Sequence, residues 1–404
     1  MPPPHDDRTV LTLDAGGTNL VFSAIAGYRE VVLPLSLPSR GDDLAACLAQ
    51  IVEGFTRVNA AACAAGTAGA ASAAGGRAAA ISFAFPGPAD YPAGIIGDLG
   101  NLPAFRGGVA LGPLLEERFG LPVFINNDGD LFAYGEALCG LLPDVNARLA
   151  AAGSAKRFRN LLGVTLGTGF GAGIVRDGDL YQGDNSAAGE IWLQRNKLDG
   201  DCFAEEGASA RAVRRAYALA AGIPLAAAPE PHEIDAIARG AAPGDGAAPG
   251  GGAAADPRVT PNPRAMPGDG AAAREAFRRL GEVAGDAIAN ALTLLDGLVV
   301  VGGGLAAAAP HFLPALVAQL NGRLRNLSGG DVPRLELTAF NLEDGAGLAR
   351  FLAGGARTIQ VPGSDRRVLY DPEKRTGVGL TRLGTSHAVA LGAYAFALRA
   401  LDRA

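Results

Sequence analysis

Residues 9–25, Thr-Val-Leu-Thr-Leu-Asp-Ala-Gly-Gly-Thr-Asn-Leu-Val-Phe-Ser-Ala-Ile, set a glycine-rich break between two β-prone apolar runs. The pattern returns at residues 161–175, Leu-Leu-Gly-Val-Thr-Leu-Gly-Thr-Gly-Phe-Gly-Ala-Gly-Ile-Val. Each stretch reads as strand, tight glycine turn, strand. An internal repeat of this kind predicts an α/β chain of two related halves that face each other across a cleft.

Such turns suit a phosphate chain, because several backbone N–H groups converge with no Cβ atoms in the way. The first turn offers Asp14, Gly16, Gly17, Thr18 and Asn19, and the second Gly167, Thr168 and Gly169. A third candidate is Gly302-Gly303-Gly304, between a buried-type strand at residues 297–301 and a helical pattern from about residue 310. The chain contains no Gly-x-x-x-x-Gly-Lys-[Ser/Thr], which disfavours a P-loop nucleotide site. A dinucleotide-binding reading of residues 167–173 also fails, since a strand pattern follows where that fold needs a helix. Asp14 leads the first turn, either to orient a hydrated Mg²⁺ on the phosphates or as an Asx-turn residue.

Outward from these turns, residues 30–35 read as a third strand, 42–58 as a helix and 78–85 as a buried strand. Residues 60–76, nearly all Ala, Gly, Ser and Thr, read as a helix end fraying into a loop. The strand Val123–Asn126 runs into Asn127-Asp128-Gly129, with a helical pattern from Asp130 to Leu141, so two carboxyl groups sit at a strand-to-helix junction. Asp128 could be no more than the helix N-cap. Helices are expected at about 208–221, 271–296 and 310–324, short strands within 358–384, and a closing helix at 386–401 that packs back on the first half. Residues 241–270, dense in Gly, Pro, Ala and Asp, read as a flexible insertion.

Composition sets the outer limits. A chain of 404 residues with 49% hydrophobic and 19% charged residues is long enough for two domains and too apolar to be disordered. The division expected is 1–138 plus 386–404 for a smaller domain and 139–385 for a larger one. A net charge of −6 argues against a nucleic-acid partner. No signal-peptide pattern or run of 18 apolar residues is seen, so the expected location is the cytoplasm, with no membrane partner. The four cysteines are widely spaced and the four histidines lack partners at metal-ligand spacing, so no zinc site is expected.

Five motifs, in this order, carry a resemblance: Asp14-Ala-Gly-Gly-Thr-Asn19, Asn126-Asn-Asp-Gly-Asp130, Gly167-Thr-Gly-Phe-Gly-Ala-Gly173, Ala188-Gly-Glu190 and Gly302-Gly-Gly304. Together they resemble the ROK (repressor, ORF, kinase) family of the actin-like ATPase superfamily, over nearly the whole chain apart from the two low-complexity segments. The resemblance implies an actin-like (ribonuclease H-like) fold with nucleotide and sugar in the cleft. It also implies ATP and Mg²⁺ as cofactors and phosphorylation of a hexose or N-acylated hexosamine, at O6 as in a glucokinase. Asp128 resembles the family's catalytic base. Gly87, Asn101, Asn127, Glu190 and Glu205 match its sugar-binding positions, with Glu206 a rival to Glu205 because the local alignment carries a one-residue shift.

The family also implies a homodimer. Its repressors carry an amino-terminal helix-turn-helix, for which a first strand at about residue 9 leaves no room, so the kinase branch is expected. A sugar-sensing regulator that binds without turnover is the alternative. One departure stands out: kinases of the family commonly have Glu-x-Gly-His and a cysteine-rich zinc motif, whereas Ile-Trp-Leu follows Glu190 and only Cys202 remains nearby. Trp192 could line the sugar pocket or pack in the core.

Overall fold

The computed structural model describes residues 6–15, 19–65, 78–97, 105–240 and 269–403. Gly16, Gly17, Thr18 and Asn101, most of the 60–76 segment and nearly all of the 241–270 insertion therefore lie outside the described residues.

In the first half, β1 (Val10–Ala15) and β2 (Asn19–Ala26) flank the first glycine turn, and β3 (Arg29–Glu30) and β4 (Leu35–Pro38) follow. The single strand expected at residues 30–35 is instead these two short ones, because Pro34 has no N–H to give a ladder. Helix α1 (Leu44–Ala64) runs further than expected; Asp43 caps it by accepting the Ala46 N–H at 3.1 Å. After β5 (Ala80–Ala84) come a small sheet of β6 (Ala89–Asp90), β7 (Ile95–Ile96) and β8 (Val109–Ala110), helix α2 (Leu111–Phe119) and β9 (Val123–Asn126). Helices α3 (Asp128–Cys139) and α4 (Leu141–Ala151) lead to the second half.

There the sequence pattern repeats as β10 (Leu161–Leu166) and β11 (Phe170–Arg176), followed by β12 (Asp179–Tyr181), α5 (Ala210–Ala221) and α6 (Pro231–Ala238). Then come α7 (Gly270–Leu295), β13 (Leu298–Gly302), α8 (Ala309–Leu320), β14 (Arg323–Arg325), β15 (Asp331–Pro333), β16 (Thr338–Asn341) and α9 (Gly345–Ala353). Helix α8 stops short of the expected residue 324 at Asn321-Gly322, a helix-ending pair. The chain closes with β17 (Arg357–Gln360), β18 (Arg367–Tyr370), β19 (Arg375–Leu380) and α10 (Thr385–Arg403).

The two six-stranded sheets share one plan. The first has the order β3-β2-β1-β5-β9 with β4 also on β2, and the second β12-β11-β10-β13-β19-β16. Each begins with an antiparallel glycine-turn hairpin and continues parallel, β1 to β5 to β9 and β10 to β13 to β19 to β16. Parallel neighbours demand helical crossovers, which cover the sheet faces and account for the Val- and Leu-rich, fully buried β13. Separate apolar cores lie between each sheet and its helices: Phe22, Ile51, Phe55 and Phe83 in the first, Val213, Phe277, Val299 and Phe312 in the second.

Between the sheets lies α3, in which every residue from Gly129 to Ala137 is buried. Its side chains are mostly apolar, but Asp130 and Glu136 are buried with them. Against it packs α10, and the two axes approach closely because each offers a glycine: a Cβ at Gly135 would stand 2.0 Å from the Ala388 carbonyl oxygen, and one at Gly392 1.9 Å from that of Leu131. Helix α10 also packs on β1 and β5 of the first half, and its Tyr394 hydroxyl donates to the Asp6 carbonyl and accepts the Gly27 N–H at 3.0 Å. No helix among the described residues is long and apolar enough to cross a membrane.

Candidate active site

The site lies off the carboxyl ends of the parallel strands, where α/β sheets place their ligands. In the first sheet Asp14 of β1 is level with Ala84 of β5, and Ala84 with Asn126 of β9. The end of β1 at Ala15, the Phe85-Pro86-Gly87 loop and Asn127-Asp128 therefore lie side by side. In the second sheet Thr165, two residues before the Gly167 turn, is level with Gly302 of β13.

The acceptor end is built on the start of α3. Asn127 is the N-cap; its Oδ1 accepts the Gly129 N–H at 2.8 Å. Asp128 is the first helical residue, so the cap alternative for it is corrected: Asn127 takes that role because its side chain reaches one residue past Asp128. The Asp128 carboxylate also accepts the Gly129 N–H, at 2.9 Å. Protein rings it on most sides while its own surface stays open, as at the floor of a cleft. Burial, chiefly, raises its pKa against the lowering effect of the backbone N–H groups, and the Asp14 charge adds to the rise.

Glycines bring the second half up to this turn. A Cβ at Gly129 would lie 2.8 Å from the Ala172 carbonyl oxygen, one at Gly173 2.4 Å from that of Gly129, and one at Gly189, whose φ is +87°, 2.8 Å from that of Ala172. The start of α3 thus rests directly on β11, and Ala188-Gly189-Glu190 rests on the same strand. Glu190 is exposed and its carboxylate accepts the Trp192 indole N–H. Trp192 is half-buried, packs edge-to-face on Phe203 with ring centroids 5.6 Å apart, and lies against the second core, so it joins core and site. Tyr91 closes the near side: its hydroxyl donates to the Phe85 carbonyl at 3.0 Å and stands 3.5 Å from the Asn127 Nδ2. A Cβ at Gly87 would lie 3.1 Å from that same hydroxyl.

At the other end the second and third glycine turns meet. A Cβ at Gly167 would lie 3.6 Å from the Gly304 N, and Gly304 itself faces open space. Gly303 has φ +90° and donates its N–H to Thr385 Oγ1 at 2.8 Å; a Cβ there would fall 2.2 Å from the Leu166 carbonyl oxygen. We expect Gly303→Ala to force this turn open and lower the urea midpoint of unfolding, measurable by equilibrium denaturation. Phe132 of α3 lies under Gly302, so one helix carries Asp128 at its tip and supports the third turn four residues on.

Glu205 stands beside the second turn: Oε2 accepts the Phe170 N–H at 2.9 Å and Oε1 pairs with Arg211 at 2.6 Å. Glu206 shares Arg211 with Glu205 and also pairs with Arg215. Asp14 and Asn19 are exposed at the mouth of the first turn. Among the described residues the Asp14 carboxylate takes no hydrogen bond or ion pair, leaving hard oxygen donors of the kind a hydrated Mg²⁺ uses.

Three polar residues here were given no role from sequence. Asp130 was visible in its motif, but its burial was not; Tyr91 and Gln182 come from loops with no motif of their own. Gln182 Nε2 donates to Asn126 Oδ1 at 2.6 Å.

The model of the ROK family matches residues 11–249. An N-acetyl-D-glucosamine kinase of Vibrio cholerae is 30% identical over 186 residues, which is 46% of this chain and 52% of that protein, so the chain spans about half the length of the curated relatives it matches. A glucokinase of Parabacteroides distasonis, known from its crystal structure, is 49% identical, with 98% of each chain covered and a TM-score of 0.80. A ROK hexokinase of Thermus thermophilus shares 20% identity over 98% of this chain and 99% of its own, with a TM-score of 0.62, a likeness of fold alone. With its paired sheets and matched motifs, the chain belongs to the ROK family and has the actin-like ATPase fold.

Proposed function

We propose that this protein is an ATP-dependent sugar kinase that phosphorylates O6 of a hexose or N-acylhexosamine. The observation that carries the reading is Asp128: a carboxylate of raised proton affinity, open to the cleft, at a helix N-terminus and within reach of the Asp14 charge. Identity of 49% to a glucokinase along almost the whole chain supports it. The two domains of the reading are residues 1–138 with 386–404, and 139–385.

Phosphoryl transfer asks a protein for positioning and charge stabilisation more than for covalent chemistry. Asp128 accepts the proton of the attacking sugar hydroxyl, and its raised pKa gives the proton a better resting place than an ordinary aspartate would. Asn127, through an Nδ2 that also donates to the Tyr91 hydroxyl, Glu190 and the Gly87 backbone hold the sugar hydroxyls, with Asn101 assigned from its motif. Glu205 positions the second turn through the Phe170 N–H and reaches the sugar from there. Gly167–Gly169 and Gly302–Gly304 cradle the nucleotide, with Gly16–Asn19 assigned from their motif. Asp14 would hold Mg²⁺ through its waters, and the ion's chemistry there is neutralisation of phosphate charge. Closing the two halves excludes water from the transfer.

The test is an ATP-coupled assay with glucose, mannose, fructose, N-acetylglucosamine and N-acetylmannosamine. Turnover of one of them, with the product's phosphate placed on O6 by NMR, is the expected result. Tight binding of a sugar with no turnover would replace this reading with that of a sensor.

A further inference from the structure

Asp130 follows Asp128 by two residues on α3, yet only 3% of its surface is exposed. Behind it is β11, close enough that a Cβ at Gly173 would lie 2.6 Å from the Asp130 Cα. The groups acting on it from the surrounding elements are the Asp128 carboxylate on its own helix, the Glu190 carboxylate beyond β11, and the Gln182 amide after β12. Tyr91, from the loop opposite, feels the same three carboxylates. No lysine or arginine is among these groups. Among the described residues Asp130 Oδ1 has no hydrogen-bond partner, and neither does the buried Nδ2 of Asn126, whose other amide atom holds Gln182.

A carboxylate with no cation, one amide donor and two carboxylate neighbours is poorly placed to carry charge. Burial first, then Glu190 and Asp128, push its pKa up to about 8, against the opposing Gln182 hydrogen bond. We infer that Asp130 works as a neutral carboxylic acid, a positioning residue that keeps a third negative charge out of the acceptor pocket and, through Gln182 and Asn126, fixes the turn that carries Asp128. The inference rests on the kinase reading for its effect, though not for the charge state of Asp130. Once Asp130 ionises, the pocket holds three carboxylates. They repel one another and the incoming phosphate, and the Gln182 amide is pulled towards the new charge. Activity then falls on the alkaline side while the catalytic base is still correctly ionised.

Two measurements separate the parts of the inference. In the wild-type protein the side-chain carboxyl carbon of Asp130, followed by ¹³C NMR, is expected to titrate near pH 8; a midpoint near the ordinary aspartate value of about 4 overturns the neutral-acid assignment. In the kinetic arm, kcat/KM for the preferred sugar falls roughly tenfold between pH 7 and pH 9 in wild type, as a single ionisation near 8 requires. Asp130→Asn, whose amide resembles the neutral acid, removes that fall, so its own ratio between the two pH values approaches one. If Asp130→Asn keeps the alkaline fall, the positioning role is wrong even if the carboxyl titrates near 8. If wild type phosphorylates no sugar while Asp130 still titrates near 8, it is the kinase reading that fails.

Discussion

Asp128→Asn should lower kcat by about 10²- to 10⁴-fold, the range expected when a positioned general base is removed. Sugar affinity, measured by calorimetry, should change little. The fold has no reason to suffer, because the Gly129 N–H keeps its bond to Asn127 Oδ1 and the new side chain has the same size. The sign of the stability effect can also be stated. The folded-state pKa of Asp128 is raised above its unfolded value, so its ionised form opposes folding at every pH above the ordinary aspartate range. At pH 7 the neutral amide is therefore expected to melt no lower than wild type. An inactive variant that is also much less stable would point to a structural role. The same raised pKa moves the acid limb of the wild-type kcat/KM profile above the pH at which a free aspartate ionises.

Gly392→Ala should cost about 3 kcal/mol or more, at the upper end for inserting a methyl group into a packed site. The added Cβ would occupy a point 1.9 Å from the Leu131 carbonyl oxygen, and its position is fixed by the helix backbone just as the oxygen's is, so neither can rotate aside. Helices α3 and α10 must then separate, and α3 carries Asp128. A fall in the urea midpoint, accompanied by reduced kcat, is the expected outcome. Gly345→Ala at the start of α9 serves as the control: a Cβ there meets nothing within 4 Å, and alanine in a helix stabilises by up to about 1 kcal/mol. Equal destabilisation by the two substitutions would remove the helix crossing as the explanation.

The hairpins β1–β2 and β10–β11 were legible in the sequence because period, glycine turn and repeat all agree over a dozen or more residues. Strand β9 and the buried β13 were readable for the same local reasons. Helix α9, β16 and the β14–β15 hairpin were not singled out: they are short, and several of their residues are exposed, so no strong apolar period marks them. At the site, Asp128 was recognisable from its motif, whereas Gln182 lies 56 positions from its partner Asn126 and has no local signal. Burial is likewise a property of the assembled halves. Nothing in Asn126-Asn-Asp-Gly-Asp130 says which aspartate faces the cleft and which faces β11.

The seating of α10 against β1 and β5 has a bearing on how the molecule comes into being. Tyr394 bonds to Asp6 across 388 positions of sequence, so the face of the first sheet that α10 covers stays bare until α10 has been made. Until α10 is made, the earliest strands carry an apolar face that this helix covers in the folded molecule, so the first half is completed by a segment synthesised hundreds of residues later.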